Sequence, residues 1–139
     1  MRARLATVLD APMIATLFHN AFGGHSPIPE AVIVQQLQSH RVHYLMEEHG
    51  RAVLSFTVVL DEVEIDYLAV LPDNQRQGLG QALLGHLLEQ QAGNRILLEV
   101  AANNQPAQKL YAKMGFQTYN EWKNYYQDGQ TAILMEKRS

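Results

Sequence analysis

The sequence contains no cysteine, which excludes disulfides, thiolate metal sites and a cysteine nucleophile. It has no surplus of positive charge either. Eleven Lys and Arg stand against fourteen Asp and Glu, a formal charge of −3, so the electrostatics give no case for gripping nucleic acid. No apolar run approaches the ~20 residues of a membrane helix. The basic start Met1-Arg-Ala-Arg is denied a signal-peptide core by Asp10 and Pro12. What remains is 139 residues, 47% hydrophobic and 18% charged, a globular balance expected of one cytoplasmic domain spanning 1–139. A domain of that size buries roughly 70% of its unfolded surface and folds without covalent staples.

Periodicity then assigns the elements. Residues 2–7 alternate weakly, as a short edge strand does. Asp10 reads as an N-cap with Pro12 in the first turn of a helix to about Phe22, whose apolar face is Met13, Ile14, Leu17, Phe18 and Ala21. Two glycines and two prolines make residues 23–29 a loop. A second helix is expected over about Glu30–Ser39, then strands over Val42–Glu48, Ala52–Leu60 and Val63–Leu71, joined by short turns at His49-Gly50 and Asp61-Glu62. Leu79, Leu83, Leu84, Leu87 and Leu88 mark a helix over about Gly78–Gln91. Arg95–Ala101 is a short buried strand. Pro106 opens a last helix that Gly115 closes. Strands over Phe116–Tyr126 and Thr131–Lys137 finish the chain. The order β-α-α-β-β-β-α-β-α-β-β defines an α/β fold with a mixed, mostly antiparallel sheet of about seven strands and about four helices. In the third long strand Leu68 and Val70 break the alternation of Val63, Ile65, Tyr67, Ala69 and Leu71, as a bulge or a strand end buried on both sides would.

Gln75-Arg76-Gln77-Gly78-Leu79-Gly80 joins that strand to the leucine-rich helix. A helix N-terminus offers unpaired N–H groups and a positive dipole end, and two glycines let a diphosphate approach without a Cβ in the way. A plain strand-to-helix turn would look the same. The loop is neither an NTPase P-loop, which needs Gly-x4-Gly-Lys-Ser/Thr, nor a dinucleotide loop, since Leu83 stands at the third glycine position.

Read with its surroundings, the loop resembles the acetyl-CoA signature Gln/Arg-x-x-Gly-x-Gly/Ala of the GCN5-related N-acetyltransferase (GNAT) family, through Gln75, Gly78 and Gly80. Tyr67-Leu-Ala-Val-Leu-Pro72 resembles the family's strand and proline lead-in. Asn104-x-x-Ala107-x-x-Leu110-Tyr111-x-x-x-Gly115-Phe116 resembles its second motif. The resemblance implies transfer of an acetyl group from acetyl-CoA to a primary amine. It implies that backbone amides from Gln77 through Gly78, Leu79 and Gly80 to Gln81, flanked by Arg76, hold the pyrophosphate. Backbone groups of Leu68, Ala69 and Val70 would pair with the pantetheine arm as an added strand does, and Asn104 would touch the arm from across the cleft.

Acyl transfer needs an acid for the leaving thiolate and a base for the amine. Tyr111 lies mid-helix on an apolar face, where tyrosine packs unless it has chemical work. The resemblance implies that it protonates the CoA sulfur. Glu99 sits inside an apolar strand, where a carboxylate is costly unless paired or functional. Lys109 and Lys113 are its possible ion-pair partners, and on an alternating strand it shares a face with Leu97 and Ala101. Asp66 is the second candidate base; the alternative is a solvated ladder of Glu62, Glu64 and Asp66. Six scattered histidines lack ligand spacing, so no metal is expected. Tyr119, Trp122, Tyr125 and Tyr126 crowd the penultimate strand, where some could line an acceptor groove.

Within the family the chain is most similar to the RimI-type branch, which acetylates the N-terminal amine of a ribosomal protein. The likeness is carried by Val59–Val70, Leu98-Glu99-Val100 and the segment from Asn124-Tyr125-Tyr126 to Met135. In that branch the positions matching Glu99 and Tyr111 serve as base and acid. An α-amine has a pKa near 7.7–8.0, against about 10.4 for lysine, and is therefore easier to neutralise. Two departures fall on the acceptor side. Pro27-Ile28 stands where the branch has Pro-Trp, and Asp66 and Tyr67 replace apolar and amide-bearing residues. A small-molecule amine acceptor and a catalytically silent acyl-CoA-binding module are the alternative readings, and the sequence leaves monomer or homodimer open.

Overall fold

The computed structural model describes residues 1–138. Seven strands form one sheet: β1 (Ala3–Leu5), β2 (Val42–Glu47), β3 (Ala52–Val59), β4 (Glu62–Val70), β5 (Arg95–Ala101), β6 (Gln117–Trp122) and β7 (Ala132–Arg138), in the spatial order β1-β2-β3-β4-β5-β7-β6. All pairings are antiparallel except β4 with β5. Four helices complete the chain: α1 (Ala11–Ala21), α2 (Glu30–Ser39), α3 (Leu79–Gln90) and α4 (Gln105–Lys113). The expected element order holds throughout.

Two cores flank the sheet. On one face Leu79, Leu83, Leu84 and Leu87 of α3 and Tyr111 of α4 pack on Leu54, Phe56, Val63, Ile65, Ile96 and Leu98. On the other, Ile14, Leu17 and Phe18 of α1 and Ile33 of α2 pack on Tyr44, Met46, Val53 and Ala69. The leucine stripe of α3 recurs every third or fourth residue, so burying it fixes the helix against the sheet.

Three local readings change. Asp10 does not cap α1 with its side chain; a 3-10 turn at Val8–Asp10 precedes the helix, and the Asp10 carboxylate accepts from Arg4 at 2.7 and 2.8 Å and from the Thr7 N–H at 2.8 Å. The penultimate strand ends at Trp122, not Tyr126. Asn124 takes φ 54°, which turns the backbone out of the strand, so Tyr125 and Tyr126 belong to the loop before β7. The alternating set of β4 is also split in two. Ser55 of β3 faces Tyr67 while Phe56 faces Ile65, which leaves Asp66 as an extra residue, a β-bulge. Val63 and Ile65 therefore join the α3 core, and Leu68 and Val70 take over that face beyond the bulge. Tyr67, Ala69 and Leu71 turn to the α1 and α2 side.

Candidate active site

β4 and β5 run side by side only over Glu62–Arg95, Val63–Ile96 and Glu64–Leu97. Beyond that the bulge and the onset of α4 carry the two strands apart, and a cleft of about 880 Å³ opens between them. Its lining comes from both arms and from both faces of the sheet. Glu64, Asp66, Leu68 and Glu99 lie on the arms, Asn104, Ala107, Leu110 and Tyr111 at α4, Pro27 to Pro29 before α2, and Tyr125 and Tyr126 in the β6–β7 loop. That volume suits a ligand of drug size or larger.

The free edge of β4 is set by backbone direction. Within an extended strand successive residues send their N–H and C=O groups to alternate edges. Tyr67 donates to the Ser55 hydroxyl at 3.1 Å and Leu71 to the Arg51 carbonyl at 2.9 Å, both toward β3. Leu68 and Val70 therefore present their polar groups to the open side, as pairing with an extended ligand requires. Ala69 is buried and faces β3. The Val70 carbonyl accepts from the Gln75 side chain at 3.2 Å, which folds the loop back onto the strand end.

Gly78 takes φ 80° at the N-cap of α3, a left-handed conformation that only glycine adopts without strain. The first intrahelical bond runs from Ala82 N–H to the Gly78 carbonyl, so the N–H groups of Leu79, Gly80 and Gln81 have no helical acceptor. Arg76, also at positive φ, and Gln77, whose side chain donates to the Asp73 carbonyl at 3.4 Å, complete the turn. A Cβ at Gly80 would meet Leu68 Cδ2 at 3.5 Å and Val70 Cγ2 at 3.6 Å, ordinary contact that leaves no room for a branched side chain.

Asn104 caps α4, its Oδ1 accepting from the Ala107 N–H at 3.3 Å, and it borders the cleft. Tyr111 is buried edge-on against Phe116, centroids 5.7 Å apart. Burial raises its pKa, which keeps the phenol protonated. Glu99 alternates with buried Leu98 and Val100 and shares its face with Leu97 and Ala101. Neither Lys109 nor Lys113 pairs with it; Lys113 donates to Gln81 at 3.2 Å instead. Glu99 is an exposed residue; partial desolvation, then the charge of Glu64, raises its pKa, while Tyr126 opposes the shift. Asp66 is pushed up to about 6 by burial and by Glu64, against the lowering effect of a 2.8 Å hydrogen bond from the Thr57 hydroxyl. Glu62, Glu64 and Asp66 are all exposed along one face of β4, as the solvated ladder requires; Glu62 pairs with Arg95 at 3.0 Å, and Glu64 and Asp66 border the cleft.

Two functional features escaped the sequence reading. Thr57 bonds Asp66 from a neighbouring strand, which no local pattern signals. Tyr126 lines the cleft with Glu99 and lowers the Glu99 pKa from a loop, where the Asp128-Gly129 turn was the one sign of an early strand end. Outside the cleft, Glu47, Glu48 and His49 cluster closely. The Glu47 carboxylate, however, is taken up by Arg51 at 2.9 Å and by the N–H groups of His49 and Arg51 at 3.0 Å. Among the described residues no helix is long and apolar enough to cross a membrane.

A sheet parted between two parallel strands, with Tyr111 and carboxyl groups lining one opening, is an arrangement that an acyl-CoA-dependent transferase could use. Residues 39–118 match the acetyltransferase (GNAT) domain family. The chain is 35% identical over 136 residues to the [ribosomal protein bS18]-alanine N-acetyltransferase of Escherichia coli K12, covering 91% of this chain and 92% of that one. It is 30% identical over 141 residues to the N-alpha-acetyltransferase RimI of Mycobacterium tuberculosis, covering 96% and 89%. The crystal structure of the Escherichia coli ribosomal-protein-S18-alanine N-acetyltransferase superposes with a TM-score of 0.82 at 32% identity, over 97% of this chain and 92% of that one. The chain belongs to the GNAT acetyltransferase family and is an acetyl-CoA-dependent N-acetyltransferase.

Proposed function

We propose that this enzyme acetylates the N-terminal α-amine of a protein in the cytoplasm, with Tyr111 as the acid and Glu99 and Asp66 as proton acceptors. The observation that carries the reading is the parted sheet, with Tyr111 on one side of the opening and the two carboxyl groups on its arms. The names of the relatives support the acceptor, and ribosomal proteins are made in the cytoplasm. All the groups the reaction needs come from one chain, so a monomer suffices.

When bound, acetyl-CoA supplies the acetyl group as an activated thioester. The amides of Leu79, Gly80 and Gln81 hold its diphosphate at the positive end of α3, and the open edges of Leu68 and Val70 align its arm. Asn104, with Oδ1 committed to its cap, has its side-chain N–H groups for the same arm. The incoming ammonium lies between Glu99 and Asp66, and an ionised carboxylate takes its proton. As the new N–C bond forms and the C–S bond breaks, the Tyr111 hydroxyl gives its proton to sulfur, and the second proton leaving the acylated nitrogen restores the phenol. Proton, acyl group and thiol then balance with no outside reactant.

A second reading, transfer to a small polyamine, is favoured by one observation: Glu64, Asp66 and Glu99 line the cleft, and no Lys, Arg or His is among its lining residues. Acetyl-CoA turnover on free-N-terminus peptides, on N-terminally blocked peptides with only lysine free, and on spermidine separates the two. Turnover confined to free N-termini is expected. Turnover confined to spermidine replaces the first reading with the second.

A further inference from the structure

Asp66 is the residue that β4 carries in excess of β3, and an unpaired bulge residue has no register partner to fix its side chain. Two hydroxyls on β3 supply that fixing. Ser55, fully buried, accepts the Tyr67 N–H at 3.1 Å and so closes the ladder just past the bulge. Thr57, half-buried and facing Glu64 in register, donates from Oγ1 to Asp66 Oδ2 at 2.8 Å. Both hydroxyl-bearing residues line the cleft beside the carboxyl groups.

We propose that Thr57 is a positioning residue for the acyl transfer, acting through Asp66: its hydroxyl seats the Asp66 carboxylate in the cleft and favours its ionised form. This rests on the reading of Asp66 as a proton acceptor. The physical reason is charge. The titratable groups around Asp66 are Glu64 on its own strand, Glu99 on β5, Tyr44 on β2, its neighbour Tyr67, and Tyr111 and Tyr126 across the cleft. None of them is a cation. In such company a hydrogen bond to the charged form opposes the upward shift, and such bonds are among the stronger ones. Thr57 supplies one.

The test measures kcat/KM against pH for the wild type, Thr57→Val, Thr57→Ser, Asp66→Asn and the double variant Thr57→Val/Asp66→Asn, each checked for an unchanged fold by its thermal transition. Thr57→Val keeps the side-chain shape and removes the donor, so the acid limb is expected to move up by roughly one pH unit. Thr57→Ser is expected to restore the wild-type limb. In the Asp66→Asn background Thr57→Val should have no further effect, because the path through the carboxylate is already gone. An unmoved limb in Thr57→Val, or an equal loss in both backgrounds, overturns the proposal while leaving Asp66 in place. A wild-type profile in Asp66→Asn removes Asp66 as a proton acceptor, and the role of Thr57 with it.

Discussion

Glu64 and Leu97 are the last residues of β4 and β5 to lie side by side. Their pairing is the vertex of the opening between the two strands. On one side of it the strands are locked by Arg95, held between Glu62 and Glu136. On the other they diverge, with Asp66 on one arm and Glu99 on the other. The sheet thus supplies two things at once, a free strand edge for an extended ligand and facing carboxyl groups for an amine.

Close packing of α3 on β4 makes Gly80 sensitive to size rather than to mere substitution. A single Cβ would sit in ordinary contact with Leu68 and Val70, so Gly80→Ala should keep acetyl-CoA affinity within about threefold. Gly80→Val forces branched atoms into those side chains, at a cost of about 1–3 kcal/mol. It should lower the thermal midpoint and weaken acetyl-CoA binding, as calorimetric titration would show.

Tyr111→Phe removes the proton donor and leaves the ring against Phe116. Turnover should fall by about 10²-fold or more, while the acetyl-CoA dissociation constant stays close to wild type. Unchanged kcat would take Tyr111 out of the acid role.

Because burial pushes the Asp66 carboxyl up to about 6, activity that needs its ionised form should decline as pH falls through 6. The stability effect has the opposite sense. The folded pKa lies above the unfolded value near 3.9, so the folded state binds the proton more tightly, and ionisation costs stability as pH rises from about 4 to above 6. Asp66→Asn should therefore melt higher than wild type at pH 7.5, with the difference closing below pH 4.

Far from the cleft, the buried Glu47 carboxylate is held down to about 2 by its hydrogen bonds to Arg51, helped by the His49 and Arg51 N–H groups. Arg51→Met would leave that charge without its cation and should lower the denaturant midpoint. The contribution of Glu47 is present above its unfolded pKa of about 4.3 and is lost as pH falls toward 2.

Much of this architecture was legible in the sequence because local chemistry dictated it. The leucine spacing of α3, the left-handed Gly78 and Gly115, and the alternation around Glu99 each carry their own signal. The break at Leu68 and Val70 pointed to an irregularity, but only the register against Ser55 and Phe56 identifies Asp66 as the bulged residue. The insertion of β7 between β5 and β6 has no local cause and follows from long-range packing. Tyr125 and Tyr126 looked like strand residues since aromatics favour strands; the left-handed turn at Asn124 overrode that preference.

The central claim, transfer to an N-terminal α-amine, is tested most directly on one peptide that carries a free α-amine and an internal lysine. After incubation with acetyl-CoA, tandem mass spectrometry locates the added acetyl group. The account predicts it on the α-nitrogen, with the lysine untouched. An acetyl group on the lysine side chain, with the α-amine left free, would contradict it.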